Sequence, residues 1–286
     1  MIVHKFVAHK NDGGRKLIKY ISSLFKDLPE SRIYKLLRQK CIKINGKRIT
    51  DSNYIVNEGD EVIIYGIKEQ ATIYIYDTGL KLDSKIVYED DNILIINKKA
   101  GIAVHDEPPC LDNQVLSYLK FKQDSSFRPS HVGRLDKWTT GLIMYAKNYK
   151  TLRELNNKIG FFDKIYTLKS DYNDGDNVVS AYIHHDEKKQ KMVVTKEPIG
   201  LNDQIVKTKI FVENNKLYTQ LLTGRKHQIR ATMEYLGYPI HGDIKYGSHK
   251  KTNKRIYLHS YKLRFNNLSS PLEYLNGREF ECNEDW

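Results

Sequence analysis

Cysteine is scarce in this chain of 286 residues: Cys41, Cys110 and Cys282 are odd in number, far apart and outside any C-x-x-C pair. That excludes a disulfide framework and gives no zinc signature. So few thiols suit a reducing compartment, and the protein is expected to be cytoplasmic. No apolar run is long enough to span a membrane. The opening Met1-Ile2-Val3-His4-Lys5-Phe6 alternates like a strand and lacks a signal-peptide apolar region. Repeats, low-complexity tracts, a Walker-type loop and a dinucleotide glycine pattern are all missing. His184-His185-Asp186-Glu187 has metal-ligand residue types. Adjacent histidines on a strand face opposite sides, however, so no metal is expected there.

Acidic residues are the minority, 35 Asp and Glu against 47 Lys and Arg, for a net charge of +12 and a pI near 9.3. A basic chain favours polyanions, with nucleic acid ahead of acidic membrane. The hydrophobic share of 40% is enough for a sizeable core and excludes wholesale disorder. The length suits two domains, or one with an appendage.

Residues 12–67 read as a small module. Asp12-Gly13-Gly14 suits a helix start, with Leu17, Ile21 and Leu24 on one face. A second helix begins near Pro29-Glu30-Ser31. Its apolar residues are Ile33, Leu36 and Leu37, while Arg32, Lys35 and Arg38 recur on another face. Ile42 and Ile44 alternate into Asn45-Gly46, a hairpin signal because both turn residues tolerate positive φ. Val56 to Ile64 supplies a further strand. Lys43, Lys47 and Arg48 extend the basic patch from the helix onto the hairpin, so that several cations on rigid elements are available to phosphates.

A linker is expected over 68–84, with a short strand at Ile73-Tyr74-Ile75-Tyr76. Residues 85–286 then mix strands and helices without βαβ alternation. Ile86–Tyr88 and Ile93–Ile96 read as a hairpin around Asp90-Asp91-Asn92. Helices are expected at Gln114–Leu119, after Asn148 (with Leu152 and Leu155), and at Lys226–Leu236, which Gly237 closes. Strands are expected at Gly141–Ala146, Ile165–Leu168 and Leu217–Leu222. The class is α+β, with a mainly antiparallel or mixed sheet flanked by helices.

Two stretches carry candidate chemistry. In Gly133-Arg134-Leu135-Asp136-Lys137-Trp138-Thr139-Thr140-Gly141-Leu142 a carboxylate follows an arginine in a loop and precedes a buried strand. A carboxylate serves as nucleophile or base only when ionised, and Arg134 with a second arginine would favour that form. By spacing alone, a structural turn pair of Arg134 and Asp136 is the alternative. In Thr223-Gly224-Arg225-Lys226-His227-Gln228-Ile229-Arg230 a glycine turn opens a helix whose Arg225, His227 and Arg230 form a polar side suited to phosphate or carboxylate.

These stretches carry a family resemblance. Ser31 to Lys47 resembles the RNA-binding domain named after ribosomal small-subunit protein S-four, and Val56 to Val62 resembles its closing strand. Gly133 to Leu142 is similar to the catalytic motif of RluA-type RNA pseudouridine synthases: His-Arg-Leu-Asp, two variable residues, then Thr-Ser-Gly-Leu. Here Gly133 replaces the histidine, as in the small-subunit-RNA branch, and Thr140 replaces the serine. Thr223 to Arg230 resembles the family's Thr-Gly-Arg-x-His-Gln-Ile-Arg. The match continues through Leu236-Gly237-Tyr238-Pro239-Ile240-His241-Gly242-Asp243 and Tyr246-Gly247.

The resemblance implies a pseudouridine synthase fold and cofactor-free isomerisation of uridine in RNA. It implies Asp136 as the catalytic residue, acting on the sugar either by attacking the anomeric carbon or by taking a neighbouring proton. It also implies Arg230 as that residue's partner. Tyr166, in Lys164-Ile165-Tyr166, would stack on the uracil and is a candidate for removing the proton at carbon five. Lys98, in a segment similar to the family's Lys-Pro-Ala-Gly with Lys99 for the proline, would meet RNA phosphate, with a plain surface loop as the alternative. Arg134, Arg225 and His227 would join Arg32, Lys35, Arg38, Lys43, Lys47 and Arg48 as RNA contacts. His259 reads as a hydrogen-bonded structural residue. Large-subunit ribosomal RNA is the expected partner, with transfer RNA as the alternative and a monomer as the expected state. A silent RNA-binding or ribosome-assembly protein is the rival reading.

Overall fold

The two apolar helical stripes of the small module close on a short sheet. Strand β1 (Val3–Val7) pairs with β6 (Glu61–Tyr65), which pairs with β3 (Ile42–Ile44), and β4 (Lys47–Arg48) completes the sheet. Helices α1 (Leu17–Leu24) and α2 (Glu30–Arg38) bury Leu17, Ile21, Ile33 and Leu37 in a common core with Ile42, Val62 and Ile64. Each such side chain, fully withdrawn from water, contributes about 1.5–3 kcal/mol. Asn45 and Gly46 take the positive φ values of 48° and 79° that the hairpin requires. This computed structural model describes residues 2–71, 79–123, 125–250 and 255–286. The strand expected at Ile73–Tyr76 falls outside them.

Helix α1 starts at Leu17 rather than at the Asp12-Gly13-Gly14 turn, because Arg15–Lys16 (β2) pairs with Ile55–Val56 (β5). Asp12 is buried and accepts from the backbone N–H groups of His9 (2.8 Å) and Ser126 (2.7 Å). Arg15 donates to the Ser126 carbonyl (2.6 Å) and lies 5.0 Å over the Tyr149 ring. The described residues of 115–129 and 147–150 accordingly belong to one unit with those of 1–81.

The remaining residues form a second unit built on a large sheet. The strands are β7 (Lys85–Glu89), β8 (Ile93–Lys98), β9 (Ser130–Val132), β10 (Thr140–Ala146), β11 (Asp163–Leu168), β12 (Asn177–Asp186), β13 (Lys191–Thr195), β14 (Gln204–Glu213), β15 (Lys216–Leu221), β16 (Leu258–Arg264) and β17 (Glu279–Glu281). The order is β13-β12-β14-β15-β11-β16-β10-β8-β7, with β9 on β10 and β17 on β16. Its neighbours are antiparallel except β10 and β16, which run parallel, so the sheet is mixed and mainly antiparallel as expected. The continuous apolar run of β10 is buried at every position. Over both units, the remaining α-helices among the described residues are α3 (Leu111–Tyr118), α4 (Tyr149–Lys158) and α5 (Gln228–Tyr235). Helix α3 begins three residues before its expected start, and α5 begins after His227, whose φ of 54° interrupts the helix.

Gly141, at the start of β10, faces Ser260 of β16 (φ +104°). A Cβ there would lie 2.3 Å from the Ser260 carbonyl oxygen. Ser260 also pairs with Tyr166 of β11, so three strands are locked together beside the loop that carries Asp136. His259 is pinned as a structural residue, with its ring nitrogens bonded to Thr140 Oγ1 and the Cys282 carbonyl, each at 2.8 Å.

Candidate active site

The segment between β9 and β10 is a braced loop. The Asp136 carbonyl accepts from Thr139 N–H (3.0 Å), and the Lys137 carbonyl accepts from Gly101 N–H (2.9 Å) and from Lys98 Nζ (3.1 Å). With its backbone fixed on both sides, Asp136 presents a half-buried carboxylate.

The partner of that carboxylate comes from α5. The turn before the helix is organised by buried Gln228. Its Oε1 accepts from Thr223 Oγ1 (2.9 Å) and Arg225 N–H (3.0 Å), and its Nε2 donates to the Lys207 carbonyl and Thr208 Oγ1 of β14, both at 3.0 Å. Arg230, two residues on, is 7% exposed. It donates from Nη1 to Asp136 Oδ2 (2.6 Å), from Nε to Asp243 Oδ2 (2.6 Å) and from Nη2 to Asp243 Oδ1 (2.9 Å). The guanidinium also lies 4.8 Å over the Tyr246 ring. Burial works against its charge, but Asp243 and Asp136 outweigh that and raise its pKa above the ordinary arginine value. The bidentate bond to Asp243 through Nε and Nη2 fixes the plane of the fork and turns Nη1 toward Asp136.

His227 approaches the other oxygen. Its Nε2 lies 3.5 Å from Asp136 Oδ1, and its Nδ1 lies 2.8 Å from the Tyr246 hydroxyl. Burial, aided by Arg230, Lys226 and Lys245 and opposed by Asp136, lowers the imidazole to about 4. The ring is therefore neutral at pH 7.

Asp136 lines a cleft of about 820 Å³ together with Arg134, Lys164, Tyr166, Arg225, His227 and Ser260. Tyr166 is 8% exposed. Burial, with a contribution from Asp136 and against a hydrogen bond with Ser260, pushes its phenol up to about 12. It is a neutral phenol on the cavity wall, a side chain suited by type to stacking and to passing a proton through its hydroxyl. Arg134 and Arg225 are exposed at the cleft, as cations open to an anionic ligand. The Asp136 carboxylate takes its bond from Arg230, not from Arg134 as one reading of the loop had it. A carboxylate so placed is equipped to act on a sugar as nucleophile or base.

Lys98 departs from expectation. It is fully buried, and its ammonium donates to the carbonyls of Lys99 (2.9 Å), Ile102 (2.9 Å) and Lys137 (3.1 Å), so it is not placed to meet phosphate. Burial brings its pKa down to about 7, against the pull of Asp136. Its position at the buried end of β8, next to the Asp136 loop, makes it a brace for that loop. Asp243 and Tyr246 are residues whose contacts the sequence did not reveal. In the small unit Arg32, Lys35 and Arg38 are exposed along α2, and Lys47 and Arg48 are exposed on β4. Lys43 is half-buried, with its ammonium 5.7 Å from the Tyr65 ring centre. Among the described residues no group of His, Cys, Asp and Glu is arranged to hold a metal, and no helix is long and apolar enough to cross a membrane.

The chain is similar to known proteins in sequence and in fold. The sequence profile of the RNA pseudouridylate synthase family matches residues 92–235, and that of the S4 domain matches residues 15–62. A protein of Mycoplasma capricolum described as an uncharacterized RNA pseudouridine synthase is 39% identical, over 99% of this chain and 98% of its own length. A Rickettsia bellii protein described as ribosomal large subunit pseudouridine synthase C is 33% identical over 86% of this chain and 87% of its own. The solved structure of human RNA pseudouridylate synthase domain containing 1 is 20% identical. It superposes with a TM-score of 0.57 over 71% of this chain and 84% of that one, so the fold is shared.

Proposed function

The chain belongs to the RNA pseudouridylate synthase family and is an RNA pseudouridine synthase, an intramolecular isomerase with an RNA-binding S4 domain; from that premise we propose that it modifies uridines of large-subunit ribosomal RNA with Asp136 as its catalytic residue. The observation that carries the catalytic assignment is the Asp136–Arg230 bond at the wall of a cleft that Tyr166 shares. Basic residues of α2 and the β3–β4 hairpin gather phosphates, as do Arg134 and Arg225 at the cleft. The target uridine leaves its stack and enters the cavity. Asp136, held by Arg230, acts on the ribose. The bond from the anomeric carbon to N1 breaks, the uracil turns against Tyr166, and a bond to carbon five forms. The proton lost from carbon five is balanced by one gained at N1, so the atoms of substrate and product are the same.

The ribosomal assignment rests on the similarity to the Rickettsia bellii protein and on the exposed basic face of the small unit. Mapping pseudouridines in RNA from cells with and without the protein tests it. The expected result is the loss of specific pseudouridines from large-subunit ribosomal RNA. Ribosomal RNA left unchanged while transfer RNA loses sites would overturn it.

A further inference from the structure

His227 and Tyr246 are joined by a bond whose direction the surroundings decide. The Tyr246 side chain is fully buried. Its hydroxyl accepts a hydrogen bond from the Met192 backbone N–H (3.2 Å), and His227 Nδ1 lies 2.8 Å away. A backbone N–H can only donate, so the phenol is the acceptor in that contact. Among the described residues the acceptor within reach of the phenolic hydrogen is His227 Nδ1. With Nδ1 accepting, the single hydrogen of a neutral imidazole sits on Nε2. That nitrogen is 3.5 Å from Asp136 Oδ1, the oxygen that Arg230 does not bind.

We infer that Tyr246 locks His227 in the Nε2–H tautomer, so that His227 and Arg230 present one N–H to each oxygen of Asp136 and fix the rotation of its carboxylate. This rests on the reading of Asp136 as the catalytic residue; His227 and Tyr246 are positioning residues that act through it. The backbone agrees with the assignment. His227 takes a left-handed φ of 54° ahead of α5, a conformation costly for a residue with a side chain, and this accompanies a ring turned inward between Tyr246 and Asp136. The alternative tautomer would set Nδ1–H against a phenol whose own hydrogen then lacks an acceptor. It would also aim an Nε2 lone pair at a carboxylate, which is repulsive. The neutral state itself follows from burial beside Arg230, Lys226 and Lys245, with Asp136 and Tyr246 the other titratable groups at the ring.

The test is nitrogen-15 NMR of the imidazole in the full-length protein, read without turnover, so it is separate from the catalytic assignment. The expected spectrum at pH 7 shows an unprotonated Nδ1 and a protonated Nε2 for His227. Tyr246→Phe keeps the ring and removes only the hydroxyl. It is expected to release the tautomer preference and to lower kcat for tritium release from uridine labelled at carbon five by about 10- to 100-fold, with KM unchanged. A wild-type Nδ1–H tautomer overturns the lock regardless of activity, even if the Phe variant fails to fold. An unchanged spectrum and kcat in Tyr246→Phe would also overturn it. Absence of tritium release by the wild type would count against the proposed reaction, whereas the tautomer is read from the spectrum.

Discussion

Replacing Gly141 with alanine should damage the catalytic unit more than any other single added methyl group on its glycines. The new Cβ would sit 2.3, 2.5 and 2.8 Å from the carbonyl oxygen, nitrogen and carbonyl carbon of Ser260, all backbone atoms that cannot rotate away. Relief requires β10 and β16 to part, at about 1–3 kcal/mol for overpacking a tight contact. Alanine must also adopt φ +104°, which costs about 1–3 kcal/mol more. The sum is about 4 kcal/mol. Both tryptophans, Trp138 and Trp286, lie in the second unit, so fluorescence during urea unfolding reports on that unit selectively. A lower midpoint with an unchanged slope is expected. Ser260 pairs with Tyr166, and the Asp136 loop runs into β10, so the parting also moves both residues. Under conditions where the variant is folded, kcat should fall about 100-fold, the usual consequence of ångström-scale misplacement. A variant of wild-type stability and rate would refute the claim that this close approach sets the site.

Asp243→Asn leaves the buried Arg230 fork with a poorer partner. The expected loss is about 3–5 kcal/mol of stability in the same unfolding assay, together with a depressed kcat; wild-type values for both would contradict the bidentate bond as the support of Arg230. Lys98→Met strips a donor from three carbonyls at once and should cost about 3 kcal/mol. Its RNA affinity should not change, because the amine is a loop brace; weakened binding measured by filter retention would say otherwise. For His227 the folded pKa of about 4 lies below the ordinary 6.5. Between those values the unfolded chain takes up a proton that the folded protein refuses. Stability should therefore fall as pH drops from 6.5 to 4, by about 3 kcal/mol at most. His227→Gln should flatten that part of the pH–stability curve, and an identical curve would contradict the buried neutral ring.

Local pattern made the basic module legible. Apolar spacing placed α1 and α2, and Asn45-Gly46 placed the hairpin, because those signals act within a few residues. The buried β10 strand and the helix after Thr223 were readable for the same reason. The pair Asp136 and Arg230, 94 positions apart, was available only through resemblance to a family, since no short-range rule joins a loop carboxylate to a distant helix. Lys98 was misjudged because a lysine in a glycine-containing segment reads as surface. Only the folded chain shows three carbonyls converging on its amine. Tyr246 was one of 20 tyrosines, and Asp243 one of many acids; what distinguishes them is burial against Arg230. The long strands β12 and β14 escaped notice as well. Their mixed alternation, with exposed Val178, Ile205 and Val212, hides the period that marks a half-buried strand.

The most direct measurement follows tritium released from RNA carrying uridine labelled at carbon five, with wild-type protein and with Asp136→Asn. Release by the wild type, abolished in the variant while RNA affinity and unfolding midpoint stay unchanged, is the predicted outcome. Continued release by a folded Asp136→Asn protein would contradict the account at its centre.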